Sequence, residues 1–109
     1  MKIYDLNEKI VFSPEKPIKR HFLNAKSFHA ALICLKAGNE IPPHSEDYGA
    51  LLTVLKGRGV FTGGDGKAAL EKNQCMYVKK NEARGIKAEE DLVVLGIQDR
   101  EKKALNRGE

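Results

Sequence analysis

The sequence predicts one all-β domain, a sandwich or barrel of short strands, and three observations carry that expectation. Turn-forming residues recur roughly every 8 to 12 positions. The segments between them are short, and they either alternate in polarity or run continuously apolar. No segment before residue 99 has helical periodicity. The chain has 109 residues, enough for one compact domain with its own core and too few for two, so it is read as a single domain over 1–109.

The turn signals are Ser13-Pro14, Asn24-Ala25, Gly38-Asn39, Pro42-Pro43, Gly57 to Gly59, Gly63 to Gly66, Asn73, Asn81 and Glu89 to Asp91. They bracket nine expected strands: Lys9 to Phe12, Ile18 to Leu23, Ser27 to Lys36, Ala50 to Lys56, Arg58 to Thr62, Lys67 to Glu71, Cys75 to Val78, Arg84 to Ala88 and Leu92 to Gln98. Thr62-Gly63-Gly64-Asp65-Gly66 offers several positions tolerant of positive φ and reads as a hairpin loop. Only Asp99 to Arg107 has the composition of a terminal helix, and its charge marks residues 99–109 as a tail. Phe28 to Leu35 and Leu92 to Ile97 are nearly continuous in apolar side chains, which implies burial on both faces. The expected second cover is another copy of the chain, giving a homodimer packed through an outer sheet face. The N-terminal arm, Met1 to Phe12, or the tail is the alternative cover.

Composition bounds the function. Hydrophobic residues make up 41% and charged residues 31%, ordinary for a globular protein and unlike a disordered one. No apolar run approaches the roughly 20 residues of a membrane span, and Met1 to Leu6 lacks the features of a signal peptide, so a cytoplasmic protein without membrane partners is expected. The net charge is +4, but Lys16 to Arg20, Lys79-Lys80 and Arg100 to Lys103 are scattered groups without interleaved aromatics. They read as a solvated surface, not a nucleic-acid groove. Cys34 and Cys75 have no metal-ligand or disulfide spacing and are expected as free thiols, each buried in its apolar stretch.

One stretch carries a family pattern. Gly38-Asn-Glu-Ile-Pro-Pro-His44-Ser-Glu46-Asp-Tyr-Gly-Ala50-Leu-Leu-Thr-Val-Leu-Lys-Gly57 resembles the first cupin motif, with Gly38, His44 and Gly57 in register, followed by the "VLxGxG" run of Val54 to Gly59. The second motif maps onto Asn73 through Lys79, Asn81 and Arg84 to Ala88, where spacing and hydrophobicity match while every signature residue is replaced. Asparagine at both glycine positions is physically sound, since Asn tolerates left-handed turns best after glycine. The resemblance spans about residues 27 to 98. It implies a double-stranded β-helix, or jelly-roll, barrel of six to eight strands whose interior opens into a pocket.

The same resemblance implies a divalent transition metal held by three histidines and a glutamate, and it assigns those places to His44, Glu46, Ala50 and Arg84. His44 is retained and Glu46 still offers a carboxylate, so these two are the fallback metal ligands. Ala50 has no lone pair. Arg84 has no acceptor and brings a fixed positive charge where a dication would sit. The expectation is therefore no metal and no other cofactor, with Arg84 paired to Glu46 across the pocket as a polar brace. Tyr48 and Gln98 are expected at the mouth, Gln98 by sharing parity with Leu92 and Val94. His29 is weighed as a substitute ligand against plain strand packing, and His21 likewise.

The leading functional expectation is a small polar or anionic metabolite bound by His44, Glu46, Arg84, Tyr48 and Gln98, with no catalytic residue assigned. One alternative is an enzyme, either a metal-dependent oxygenase or isomerase or a metal-free catalyst using His44 and Glu46 for proton transfer. Another is an interaction domain without ligand, which would have its pocket filled by Arg84, Tyr48 and apolar side chains.

Overall fold

The structure, a computed structural model, describes residues 1–99 of the chain. Beyond Asp99, the expected tail and its helix lie outside the described residues. Nine strands follow one another: β1 (Ile18–Asn24), β2 (Phe28–Leu35), β3 (Glu40–Ser45), β4 (Ala50–Lys56), β5 (Arg58–Gly63), β6 (Gly66–Glu71), β7 (Cys75–Val78), β8 (Ala83–Ala88) and β9 (Leu92–Asp99). They form two antiparallel sheets, one in the order β1-β2-β9-β4-β7 and the other β3-β8-β5-β6. Between them Ile33, Leu35, Leu52, Val54, Leu92 and Val94 of the first sheet pack on Phe61, Ile86 and Ala88 of the second. The edges β1, β7, β3 and β6 are not hydrogen-bonded across, so the expected barrel is a two-sheet sandwich that does not close. No described helix is long and apolar enough to cross a membrane.

Eight of the expected strands form, and the exceptions have local causes. The reading of Pro42-Pro43 as a turn is overturned, because both prolines lie inside β3. Proline is tolerated there since β3 is a sheet edge and the pairing slips between Ile41 and His44, which removes the demand for their missing N–H groups. That bulge has a second effect. Ile41 and His44 are three residues apart and would face opposite ways in a regular strand, yet both line the interior cavity. Across the bulge stands Gly85, where a Cβ would lie 2.9 Å from the Pro43 nitrogen, so the close approach needs glycine.

The expected strand over Lys9 to Phe12 is also corrected. Leu6–Lys9 is a single 3₁₀ turn capped by Asp5, whose carboxylate accepts from Asn7 N–H at 3.0 Å. The arm then runs across the outer face of the first sheet instead of pairing with its edge. Ile10 and Phe12 lie there with Phe22 and Leu55 over buried Leu32, Cys34 and Val93. Lys36 adds a cation over the Phe12 ring at 5.6 Å. The double-sided burial of β2 and β9 is thus met within one chain, and the premise for a second copy on this face passes to the arm. Leu51 and Tyr77, opposite each other on β4 and β7, remain exposed on the same face.

Cys34 is buried as expected, but Cys75 is exposed. Its strand β7 is an edge, and it alternates so that Val78 is buried while Cys75 and Tyr77 point out. Asn73 and Asn81 adopt φ of 74° and 71°, the left-handed turns expected of asparagines in place of glycine. Phe12→Ala should uncover part of the outer cluster and lower stability by about 2 kcal/mol, below the cost of a fully buried Phe because the site is half exposed. Urea unfolding reads this directly.

Candidate functional site

Between the sheets at one end lies a cavity of about 180 Å³. Its wall follows from strand register. On the first sheet the inward positions form rows across β2, β9 and β4: Ile33-Val94-Val54, Ala31-Gly96-Leu52 and His29-Gln98-Ala50. The first row is large and belongs to the packed core. The next rows shrink to Ala31, Gly96 and Ala50, and the space they leave is the cavity. The second sheet closes it with Ile41, His44, Arg84, Gly85 and Ile86. Lys19 and Tyr48 complete the rim.

Arg84 is the one buried charged residue described, only 6% exposed. The expected ion pair with Glu46 is overturned, since Glu46 pairs with His44 and no carboxylate among the described residues lies within salt-bridge distance of Arg84. Its guanidinium donates instead to backbone carbonyls: Nη2 to Tyr48 O at 2.9 Å, Lys79 O at 3.0 Å and Glu82 O at 3.2 Å, with Nε also reaching Glu82 O at 3.3 Å. The Tyr48 ring lies 5.2 Å from the guanidinium carbon, a cation–π contact. Arg84 therefore braces the Glu46–Tyr48 loop against the Lys79–Glu82 turn, which are also joined by Asn81 N–H donating to Glu46 O at 2.7 Å. Its Nη1 is buried with no hydrogen-bond partner.

Glu46 pairs elsewhere. Its Oε2 lies 3.2 Å from His44 Nε2, both side chains being substantially exposed, while His44 Nδ1 is 3.0 Å from the Pro42 carbonyl. Both partners of the imidazole accept only, so both contacts hold at once when both nitrogens carry protons. Both ring nitrogens are thus taken up by contacts within β3 and the loop after it. His44 is the cross-strand neighbour of Arg84 in the second sheet, while Ala50 of the first motif lines the cavity from β4 of the facing sheet.

Four of the expected site residues, His44, Tyr48, Arg84 and Gln98, come together on the cavity wall, and Glu46 stands behind His44 outside the lining. Gln98 does share its face with Leu92 and Val94. Burial, followed by the nearby Glu46 charge, pushes the Tyr48 phenol up despite the opposing Arg84, so its hydroxyl stays a donor. His29 has the inward parity of Ala31 but lies beyond the lining, edge-on to His21 at 5.9 Å between centroids, and its Nε2 is buried without a partner. Lys19 was absent from the sequence reading. Its signal is pairing opposite Ile33, which requires the β1 register. Although Lys19 is exposed as a whole residue, desolvation is the strongest influence on its amine and lowers its pKa, with Glu46 opposing and Arg84 adding.

The Cupin domain profile matches residues 31–97. The chain belongs to the cupin family. Among solved structures it is similar to an RmlC-like cupin from Desulfovibrio desulfuricans, at 25% identity and TM-score 0.82 over 91% of this chain and 96% of that one. A protein from Thermus thermophilus matches at 20% identity and TM-score 0.85 over 91% and 97%. A variant of salicylate 1,2-dioxygenase from Pseudoaminobacter salicylatoxidans matches at 18% identity and TM-score 0.72, over 76% of this chain and 26% of that larger one. Among curated proteins, none matches.

The metal that the cupin pattern implies does not fit this donor set. The described residues hold no group of three or more His, Cys, Asp or Glu placed for an ion, Ala50 has no donor, and the Arg84 guanidinium opposes a dication. The fallback ligands His44 and Glu46 are engaged with each other.

Two tests follow from this geometry. Arg84→Ala strips the donor shared by three backbone carbonyls and should cost about 3 kcal/mol in urea unfolding. His21 lies below its ordinary 6.5 because of desolvation first, then Lys19 and His29. The folded state therefore binds that proton more weakly than the unfolded one, so this contribution penalises folding below the window and is relieved as pH rises to about 6.5. NMR titration should place His21 below 6.5, and Lys19→Met should move it back up part of the way.

Proposed function

We propose that this cupin is a metal-free binding protein whose cavity takes a small anionic metabolite. The observation that carries the reading is Arg84, a buried cation on the cavity wall that has, among the described residues, no carboxylate partner and one N–H nitrogen without an acceptor. A desolvated guanidinium is compensated only partly by carbonyl dipoles, and a carboxylate or phosphate oxygen is its natural complement. Lys19 adds a second cation at the rim, and Tyr48 and Gln98 offer neutral donors. An open volume of about 180 Å³ favours ligand binding over a domain whose interior is filled. Nothing in the lining supplies a paired acid and base facing a substrate, which weighs against the proton-transfer alternative.

Thermal shift with carboxylates, phosphate and their neutral amide counterparts tests the reading. Anions should raise the melting temperature of the wild type, amides should not, and Arg84→Gln should abolish the response while remaining folded. Equal stabilisation of wild type and Arg84→Gln would sink the Arg84 contact. Elemental analysis showing a stoichiometric transition metal that is lost in His44→Ala would overturn the metal-free reading.

A further inference from the structure

We infer that the cavity is shaped for one class of anion, a monocarboxylate carrying a compact apolar body of about one ring, seated on Ala31, Ala50 and Gly96 with its carboxylate at Arg84. This rests on the proposed anion site and deepens it.

The apolar seat is a consequence of side-chain size. Ala31 and Gly96 are directly paired, and Ala50 is paired with Gln98 in the adjoining row. All three lie on the cavity wall. Gly96 is not required there by backbone strain or by close backbone approach. A Cβ would sit 3.4 Å from Ile33 Cδ1 and Leu52 Cδ2, ordinary van der Waals contact. The missing side chain therefore serves to leave room. Ile33, Ile41, Leu52 and Ile86 supply the surrounding hydrocarbon surface.

Volume sets the scale. A dry, apolar cavity of roughly 150 Å³ is enough to hold benzene, so about 180 Å³ accommodates a ring or branched chain plus one carboxylate, and not two fused rings. Charge sets the number of carboxylates. Arg84 has one nitrogen without a hydrogen-bond partner among the described residues, the buried Nη1, because Nε and Nη2 are committed to backbone carbonyls, so a carboxylate reaches it only by parting the atoms that cover it. Glu46, the acid that acts most strongly on Lys19 and Tyr48 at the rim, is held by His44 and would repel a second anionic group. An inorganic anion or acetate satisfies the cation while leaving the hydrocarbon wall bare, and a dianion's second charge finds only Lys19 at the rim, whose amine Glu46 already attracts.

Isothermal titration calorimetry with benzoate, cyclohexanecarboxylate, acetate, phthalate, naphthoate and benzamide decides it. Benzoate or cyclohexanecarboxylate should bind at least about tenfold tighter than acetate, given what even one methylene contributes in an apolar pocket. Phthalate and naphthoate should bind no better than acetate. Ala31→Leu and, separately, Ala50→Leu should weaken benzoate at least about tenfold and leave acetate unchanged. Equal binding of acetate and benzoate would overturn the apolar seat while leaving the anion site standing. Benzamide binding as tightly as benzoate would overturn the anion site while leaving the seat. Absence of binding by every carboxylate would overturn both.

Discussion

Inward side chains on β2, β9 and β4 stand in rows fixed by strand pairing, and their sizes divide the interior in two. Leu35 faces Leu92, and Val94 stands between Ile33 and Val54. These fill the space against Phe61 and Ala88 of the opposite sheet as a close-packed core. One row further the side chains fall to Ala31 and Gly96, and then to Gln98 with Ala50. Because the period of a strand is two, no shift of a single residue could keep the first rows packed and alter the next. The same register that secures the core therefore fixes where the cavity opens and which small residues line it. The outer face of these strands is held to the same register, and the Ile10–Phe12 arm covers Leu32, Cys34 and Val93 on it.

Opposite that sheet, the second sheet brings its polar groups in by a local irregularity. The bulge at Pro42-Pro43 turns His44 to the same face as Ile41, and Gly85 lets the two backbones approach. Arg84, beside His44 in the ladder, commits two of its nitrogens to carbonyls from two separate loops. A buried guanidinium in that position is strongly tied down, so a ligand meeting it would find a pre-oriented donor and incur little ordering cost. That is a different use of the site from metal coordination, where ring lone pairs and carboxylates must converge on one point.

Much of the fold was legible in the sequence, and the misses share a cause. Strand runs such as Cys75 to Val78 were found at their observed bounds because a short apolar run between turn residues is a local property of the chain. The positive φ of Asn73 and Asn81 was legible for the same reason, being written in the residue itself. β3 was missed because Pro42-Pro43 is a turn signal everywhere except on an edge strand with a bulge, and edge position is a property of the whole sheet. Cys75 was misplaced because its strand is an edge with one open face. Lys19 escaped notice because its place on the wall depends on β1 pairing with β2. Site membership of His44, Tyr48, Arg84 and Gln98 could be approached through motif spacing and parity, but their partners could not. Opposite charges make Arg84 and Glu46 look like a pair on paper. In the fold, backbone carbonyls that no side-chain pattern encodes take the guanidinium, and the nearer imidazole takes the carboxylate.

That exchange of partners changes what the site is suited to recognise. Had Arg84 been neutralised by Glu46, the cavity would keep only the rim charge of Lys19 and its buried hydrocarbon wall would favour a neutral guest. With Glu46 turned to His44 and Arg84 compensated only by dipoles, positive charge is left beside an apolar surface that water solvates poorly. Such a combination is unfavourable in the empty protein and becomes favourable only when an anion with its own apolar body enters. The cost of holding the cation there is thus part of the binding selectivity, since only a ligand with both properties relieves it fully.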